Sequence, residues 1–184
     1  MSGYCDIASG HPLHGPYHDA EYGFPARDES VLFERLLLEI NQAGLSWELM
    51  LKKRATMRAA YDGFDVDRVA EYDDADRERL LADPGIIRNR LKVNAAIHNA
   101  QVIRGFRDSH GGFADWLDAH HPLTLEGWKR LFKKTFRFTG GEIVNEFLMS
   151  LGYLPGAHRD DCPVMVRIRR AQPPWLVREA AGTL

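Results

Sequence analysis

The chain has 184 residues, of which 45% are hydrophobic and 27% charged, with a formal net charge of −2. That length and balance predict a soluble globular protein with one well-buried core, or a core plus a small lobe. They exclude a chain held on nucleic acid by bulk positive charge, while leaving room for a local basic face. No basic N-terminal segment leads into an apolar run, and no stretch is long enough to span a bilayer, so we expect a cytoplasmic protein with no membrane partner.

Residues 1–27 are rich in Gly, Pro and His and lack periodicity, which predicts an irregular arm that something must pin down. From Ser30 onward, Leu32, Phe33, Leu36, Leu37 and Ile40 recur at helical spacing behind Asp28 or Ser30 as N-cap, and this helix ends near Ala43–Gly44. Ser46 then caps a second helix in which Trp47, Met50, Leu51 and Met57 share a face. Short helices are predicted over 65–72 and 74–82.

Asp83, Pro84 and Gly85 break the pattern, and a long helix follows, carrying Val93, Ile97, Ala100 and Ile103 to an end near Gly105. Further helices are predicted over 113–120, over 125–136 behind Thr124, and over 141–151. Residues 136–139 alternate briefly but form too short a run to distinguish strand from turn. The fold class is therefore all-α. The tail from about residue 165, with its arginines and the pair Pro173 and Pro174, is expected to be poorly ordered.

The two cysteines lie at opposite ends, each accompanied by a histidine: Cys5 with His18, and His158 with Cys162. Two sulfur and two nitrogen donors suit a closed tetrahedral zinc site, and the His-x-x-x-Cys spacing puts the second pair on one face of a helical turn. A disulfide between Cys5 and Cys162 is one alternative, though nothing here points to an oxidising compartment. Two buried thiols unrelated to nearby histidines are the other, since the chain has eight histidines. Spacing alone leaves all three open.

Three segments carry a stronger signal. The first is Tyr17-His-Asp-Ala-Glu-Tyr-Gly-Phe-Pro, the second Leu38-Glu-Ile-Asn-Gln-Ala-Gly-Leu-Ser-Trp, and the third Gly85-Ile-Ile-Arg-Asn-Arg. Together with the cysteine and histidine set, they resemble the bacterial 3-methyladenine-DNA glycosylases of type I over residues 4–162. The resemblance implies one helix-hairpin-helix glycosylase domain over 1–184. It also implies a structural zinc, one per chain, on Cys5, His18, His158 and Cys162. The implied partner of this monomeric enzyme is double-stranded DNA containing alkylated purines. Its activity would be monofunctional excision of 3-methyladenine, leaving an abasic site. Two rivals share the resemblance: a non-catalytic binder of the same fold, and a glycosylase with another alkylpurine preference.

Methylation at N3 leaves adenine cationic, so the glycosidic bond is already weakened and strong general-acid help is unnecessary. A pocket can select such a base with π-faces, worth roughly 0.5–2 kcal/mol over a desolvated cation, and one carboxylate. On composition alone Glu39 reads as a solvated or salt-bridged acid, and Tyr17 and Trp47 as core aromatics. The resemblance instead implies that Glu39 contacts the extruded base and that Tyr17 and Trp47 flank it, with Tyr22 and His14 at further base-binding positions. We expect the Glu39 charge to stabilise the oxocarbenium-like sugar as well.

Gly44 and Leu45 read locally as a helix C-cap and a core residue, whereas the resemblance makes them the wedge that fills the gap left by a flipped nucleotide. Gly85 and the following helix suit a backbone-amide phosphate site, with Arg88, Arg90 and Lys92 supplying charge. Lys52, Lys53 and Arg54 form a second basic cluster. Lys129, Arg130, Lys133, Lys134 and Arg137 form a third, which has no assigned role. Tyr22 stands where the family usually has tryptophan, His14 where members often have tyrosine, and Tyr4 where tryptophan is common, so pocket preference stays open.

Overall fold

The computed structural model describes residues 3–180, and among them there are helices and turns but no strand. In chain order these are α1 (Tyr4–Ala8), α2 (His14–Ala20), α3 (Glu29–Gln42), α4 (Trp47–Ala60), a 3-10 turn (Asp62–Phe64), α5 (Val66–Ala70) and α6 (Asp74–Ala82). They continue as α7 (Arg90–His110), α8 (Phe113–His120), α9 (Leu125–Thr135), α10 (Gly141–Ser150), α11 (Met165–Ala171) and α12 (Pro174–Ala180).

The expected caps operate. Asp28 accepts hydrogen bonds from the Ser30 and Val31 amides at the start of α3, Ser46 from Leu49 at the start of α4, and Thr124 from Gly127 at the start of α9. α3 is the central helix: ten of its fourteen residues are buried, far more than one apolar stripe requires. α10, α4, α7 and α8 pack around it. A block of rings from Phe106, Phe113, Trp116, Phe132, Phe136 and Phe147 fills the space between α7, α8, α9 and α10. A smaller apolar cluster, with Val164, Met165 and Ile168 beside Cys5 and Cys162, joins the two ends of the chain.

Three expectations need correction. The arm over 1–27 contains two short helices, held by that second cluster rather than by periodicity of their own. The tail from 165 is helical through Ala180, because Met165 and Ile168 are buried against the N-terminal segment; residues 181–184 lie outside the described residues. The long helix passes Gly105 and ends at His110, where Gly111 takes the left-handed conformation (φ 97°) and its amide donates to the carbonyls of the last turn. Phe106 explains the extension, since its ring stacks on Trp116 at 4.7 Å. Residues 136–139 form a turn between α9 and α10.

Candidate active site and metal centre

The segment from Tyr17 to Gly23 builds two adjoining sites at once. His18, on α2, comes together with Cys5 from α1 and with His158 and Cys162 from the loop before α11; all four are buried and their ligand atoms lie within 4.8 Å of one another. Cys162 Sγ is 3.5 Å from His158 Nδ1 and 3.8 Å from His18 Nε2, and Cys5 Sγ is 3.7 Å from His158 Nδ1. Tetrahedral zinc with ordinary bond lengths puts sulfur and nitrogen about 3.6 Å apart. Both thiols are free, so the disulfide alternative does not describe this fold.

The outer ring nitrogens are also fixed. His158 Nε2 donates to the Tyr22 carbonyl at 2.7 Å and His18 Nδ1 to the Asp19 carboxylate at 2.6 Å, which leaves the two inner nitrogens turned toward the sulfurs. This donor set and its second layer fit a four-coordinate metal ion. Gly23 has φ 85°, and a Cβ there would stand 3.0 Å from both Ala157 and Ile168, so glycine is what lets the chain pass close to the cluster.

Beside the metal centre lies a cavity of about 420 Å³ whose walls include Tyr4, Tyr17, Tyr22, Trp47, Glu39 and Glu146. The Tyr17 and Trp47 rings are 5.0 Å apart at 54°, and Tyr22 meets both Tyr17 (5.7 Å) and Tyr4 (5.4 Å). The Tyr17 hydroxyl is buried without a hydrogen-bond partner, while the Trp47 indole N–H faces the Tyr4 hydroxyl. Tyr61 and Trp128, in the main core, have unpartnered polar atoms too, so it is the position of the Tyr17 hydroxyl on the cavity wall that makes it available to a ligand.

Glu39 is only 5% exposed, and among the described residues nothing donates a hydrogen bond to its carboxylate. Burial pushes its carboxyl well above the usual carboxylate range; repulsion from Glu146 adds to this and Arg35 opposes it. Burial likewise raises Glu146, while a hydrogen bond from the Tyr22 hydroxyl (3.0 Å) opposes the rise. Burial also pushes the phenol of Tyr4 up to about 12, and those of Tyr17 and Tyr22 upward, so the pocket hydroxyls stay neutral.

Behind Tyr17 the Arg35 guanidinium sits 5.0 Å from the ring centroid, held by Glu21 at 3.1 Å; Glu21 also takes two hydrogen bonds from Arg54. The same segment thus supplies a pocket wall, a metal ligand, that ligand's orienting carboxylate, and an ionic anchor.

A family model for methyladenine glycosylase matches residues 7–124. The DNA-3-methyladenine glycosylase 1 of Escherichia coli (strain K12) is 36% identical over 167 residues, covering 80% of this chain and 89% of that protein. The chain belongs to the methyladenine glycosylase family. A second member, the DNA-3-methyladenine glycosylase of Haemophilus influenzae, is 31% identical over 182 residues, covering 89% of this chain and 98% of its own. Among solved structures, a 3-methyladenine DNA glycosylase I from Staphylococcus aureus superposes with a TM-score of 0.79 at 29% identity, covering 88% of this chain and 95% of that one. A variant 3-methyladenine DNA glycosylase I in complex with 3-methyladenine gives 0.80 at 28% identity, covering 88% and 96%.

In this member of the family the structure sorts the remaining expected residues. His14 does not line the cavity; it stands behind Tyr4, whose hydroxyl donates to His14 Nδ1 at 3.2 Å, so Tyr4 forms the wall expected of His14. Leu45 is 42% exposed rather than a core residue, and Gly44 before it has φ 79°. Both line a second cleft that shares Glu39, Gln42 and Glu146 with the cavity, so their loop stands at its mouth.

The basic residues after Gly85 divide. Lys92 is buried, and its ammonium donates to the carbonyls of Asn41 and Ala43 at 2.8 Å each, capping the C-terminal end of α3 instead of facing a phosphate. The Gly85 amide already donates to Asp83 (2.6 Å), and its carbonyl accepts from Thr56 (2.6 Å), which ties this loop to α4. Arg90 pairs with Glu78, leaving Arg88 as the exposed cation without an ionic partner in that segment. In the second cluster Lys52 pairs with Glu48, Lys53 donates to the Pro84 carbonyl, and Arg54 belongs to the network behind Tyr17.

Sequence reasoning missed the turn between α9 and α10. Lys133, with Phe138, Gly140 and Gly141, lines a groove that reaches Ala43 next to the Gly44 loop. Lys133, Lys134 and Arg137 are exposed without an ionic partner among the described residues, Arg137 on a separate cleft with Arg90, Asn94 and His98. Their charge was visible in the sequence, but the position of Lys133 in a groove that reaches the Gly44 loop was not. Glu146, likewise missed, joins the pocket from a helix far along the chain.

Proposed function

We propose that this protein is a monofunctional DNA glycosylase that flips 3-methyladenine out of alkylated double-stranded DNA, excises it and leaves an abasic site. The observation that carries this reading is a buried carboxylate, Glu39, with no donor among the described residues, inside a cage of rings that also holds the unpartnered Tyr17 hydroxyl. An isolated buried carboxylate is strongly unfavourable, and a cationic base bearing N–H groups supplies both the charge and the donors it lacks.

Tyr17 and Trp47, in contact with each other at 5.0 Å, form one aromatic wall against which the extruded base packs, and the Tyr17 hydroxyl is available to its ring nitrogens. Glu39 contacts the cation and, as the glycosidic bond opens, its charge stabilises the oxocarbenium-like sugar that water then attacks. Leu45, apolar and exposed at the mouth, enters the space left by the flipped nucleotide. Arg88, Lys133, Lys134 and Arg137 contact phosphates, which gives salt-sensitive and largely sequence-independent binding.

The metal is zinc, one per chain, on Cys5, His18, His158 and Cys162. With all four positions taken by protein it supplies a crosslink between the termini and no chemistry at the sugar. The enzyme acts as a cytoplasmic monomer. Metal analysis should find one zinc per chain, and Cys162→Ser should lose it together with thermal stability; full zinc in that variant would remove Cys162 from the set.

The activity is tested by incubating the purified protein with methylated DNA and with undamaged DNA and separating free bases by chromatography. Release of 3-methyladenine from the first, with no adenine from the second, is the expected result. Tight binding of methylated DNA without release would make the protein a binder, and release of a different base would change the lesion.

A further inference from the structure

Glu146, on α10, lines the cavity that contains Glu39 and is not needed for the catalytic roles of Glu39, Tyr17 and Trp47. The Tyr22 hydroxyl donates to its Oε2 at 3.0 Å, and no other described group donates to it. One oxygen is held and the other has no protein donor, on a residue that lines both the cavity and the cleft leading to it. The hydroxyl of Tyr22 is itself placed by its ring packing against Tyr17 and Tyr4 and by the Tyr22 carbonyl, which accepts from His158.

A purely structural carboxylate would be a poor choice here. Orienting one phenol needs a single acceptor, which a neutral amide or a main-chain carbonyl supplies without placing a charge near Glu39. Burial holds both carboxyls above their ordinary range, and like charge adds to the rise, from Glu146 at Glu39 and from Glu142 at Glu146. Arg35 opposes the rise at Glu39 and no cation does so at Glu146. A cationic ligand removes that imbalance; an uncharged one does not.

We propose that Glu146, held in place by Tyr22, is a second base-reading carboxylate, and that this pocket selects a cationic purine with two acids rather than one. The inference rests on the glycosylase reading above and sharpens its recognition step. It assigns Tyr22 as a positioning residue and Glu146 as a specificity-determining one.

The test measures calorimetric affinities of the zinc-loaded protein for 3,9-dimethyladeninium, a permanent cation, and for 9-methyladenine, its neutral parent. Wild type should prefer the cation. Glu146→Gln should narrow that preference about tenfold, as expected for loss of one charge-assisted contact, and Tyr22→Phe about threefold by loosening the same side chain. The ratio is internal to each variant, so a change of pocket shape that weakens both ligands equally leaves it unmoved. A wild-type ratio in Glu146→Gln would overturn the inference while leaving the glycosylase reading in place. Should that variant fail to fold, an unchanged ratio in Tyr22→Phe has the same consequence. If the ratio falls in Glu39→Gln alone, Glu39 is the single reader. If wild type itself shows no preference, charge recognition fails at both acids, and the account of Glu39 fails with it.

Discussion

Glu34 and Glu39 lie on the same helix, at 0% and 5% exposure, in opposite surroundings. Glu34 accepts from Arg54 through both oxygens (2.9 and 3.2 Å) and from Arg58 at 2.7 Å, in a closed ionic network that also includes Glu21 and Arg35. Glu39 accepts nothing from the described protein. A protein that can satisfy one buried carboxylate this fully can satisfy two. The difference therefore separates an acid that the fold itself satisfies from one that it leaves open on a cavity wall, and exposure alone would have grouped them.

That contrast can be broken from either side. The largest effect is expected at Glu34: replacing it with alanine leaves Arg58 without its carboxylate and Arg54 with Glu21 alone, and should cost about 3 kcal/mol in urea unfolding, the low end for a buried pair because Arg58 is 47% exposed at its side chain. A loss under 1 kcal/mol would mean that the network is no more than a surface pairing.

The metal centre offers a second comparison, because its outer partners are as complete as those of Glu34. Asp19→Asn weakens the acceptor that orients His18, and chelator competition should show metal affinity falling by about tenfold or more. Unchanged affinity would place the orientation of His18 in the packing around it.

Leu45→Ala tests the mouth of the pocket. An exposed leucine contributes little to folding, so the urea midpoint should stay near wild type while base release from duplex DNA slows about tenfold. On single-stranded methylated DNA, where no stack needs filling, the loss should be smaller.

The smallest effect concerns pH. The Glu39 carboxyl is raised above its ordinary 4.5, so between that value and the raised one the folded protein holds a proton that the unfolded chain has lost. Folding stability must then decline as pH rises through this window, and Glu39→Gln should flatten the decline. Urea midpoints at a series of pH values check the sign.

Much of this was legible in the sequence, and the failures share a cause. α3, α4 and α9 announce themselves because each carries an apolar stripe behind a side-chain cap, and Glu39 and Trp47 come with the segment that spans the α3–α4 turn. α1 and α2, at five and seven residues, are too short to show a period and are held by contacts with the far end of the chain. Lys92 reads as one more cation in a basic run, and only the fold shows that the carbonyls at the end of α3 point at it. Glu146 looks like an ordinary helix charge until Tyr22, 124 residues earlier in the chain, is placed against it. Local pattern reports which face is apolar. It does not report which polar group is left without a partner, and that is where this protein's chemistry lies.

The most direct test of that claim is the single-turnover rate at which Glu39→Gln releases 3-methyladenine from methylated DNA, on protein whose unfolding midpoint is measured alongside. Replacing a buried carboxyl that no described group hydrogen-bonds should leave the midpoint at or above wild type while the rate falls by about 100-fold or more, the scale seen when one electrostatic contact to a transition state is lost. A wild-type rate, or a slow rate explained by a collapsed midpoint, would contradict the assignment of Glu39 as the acid held in reserve for the base.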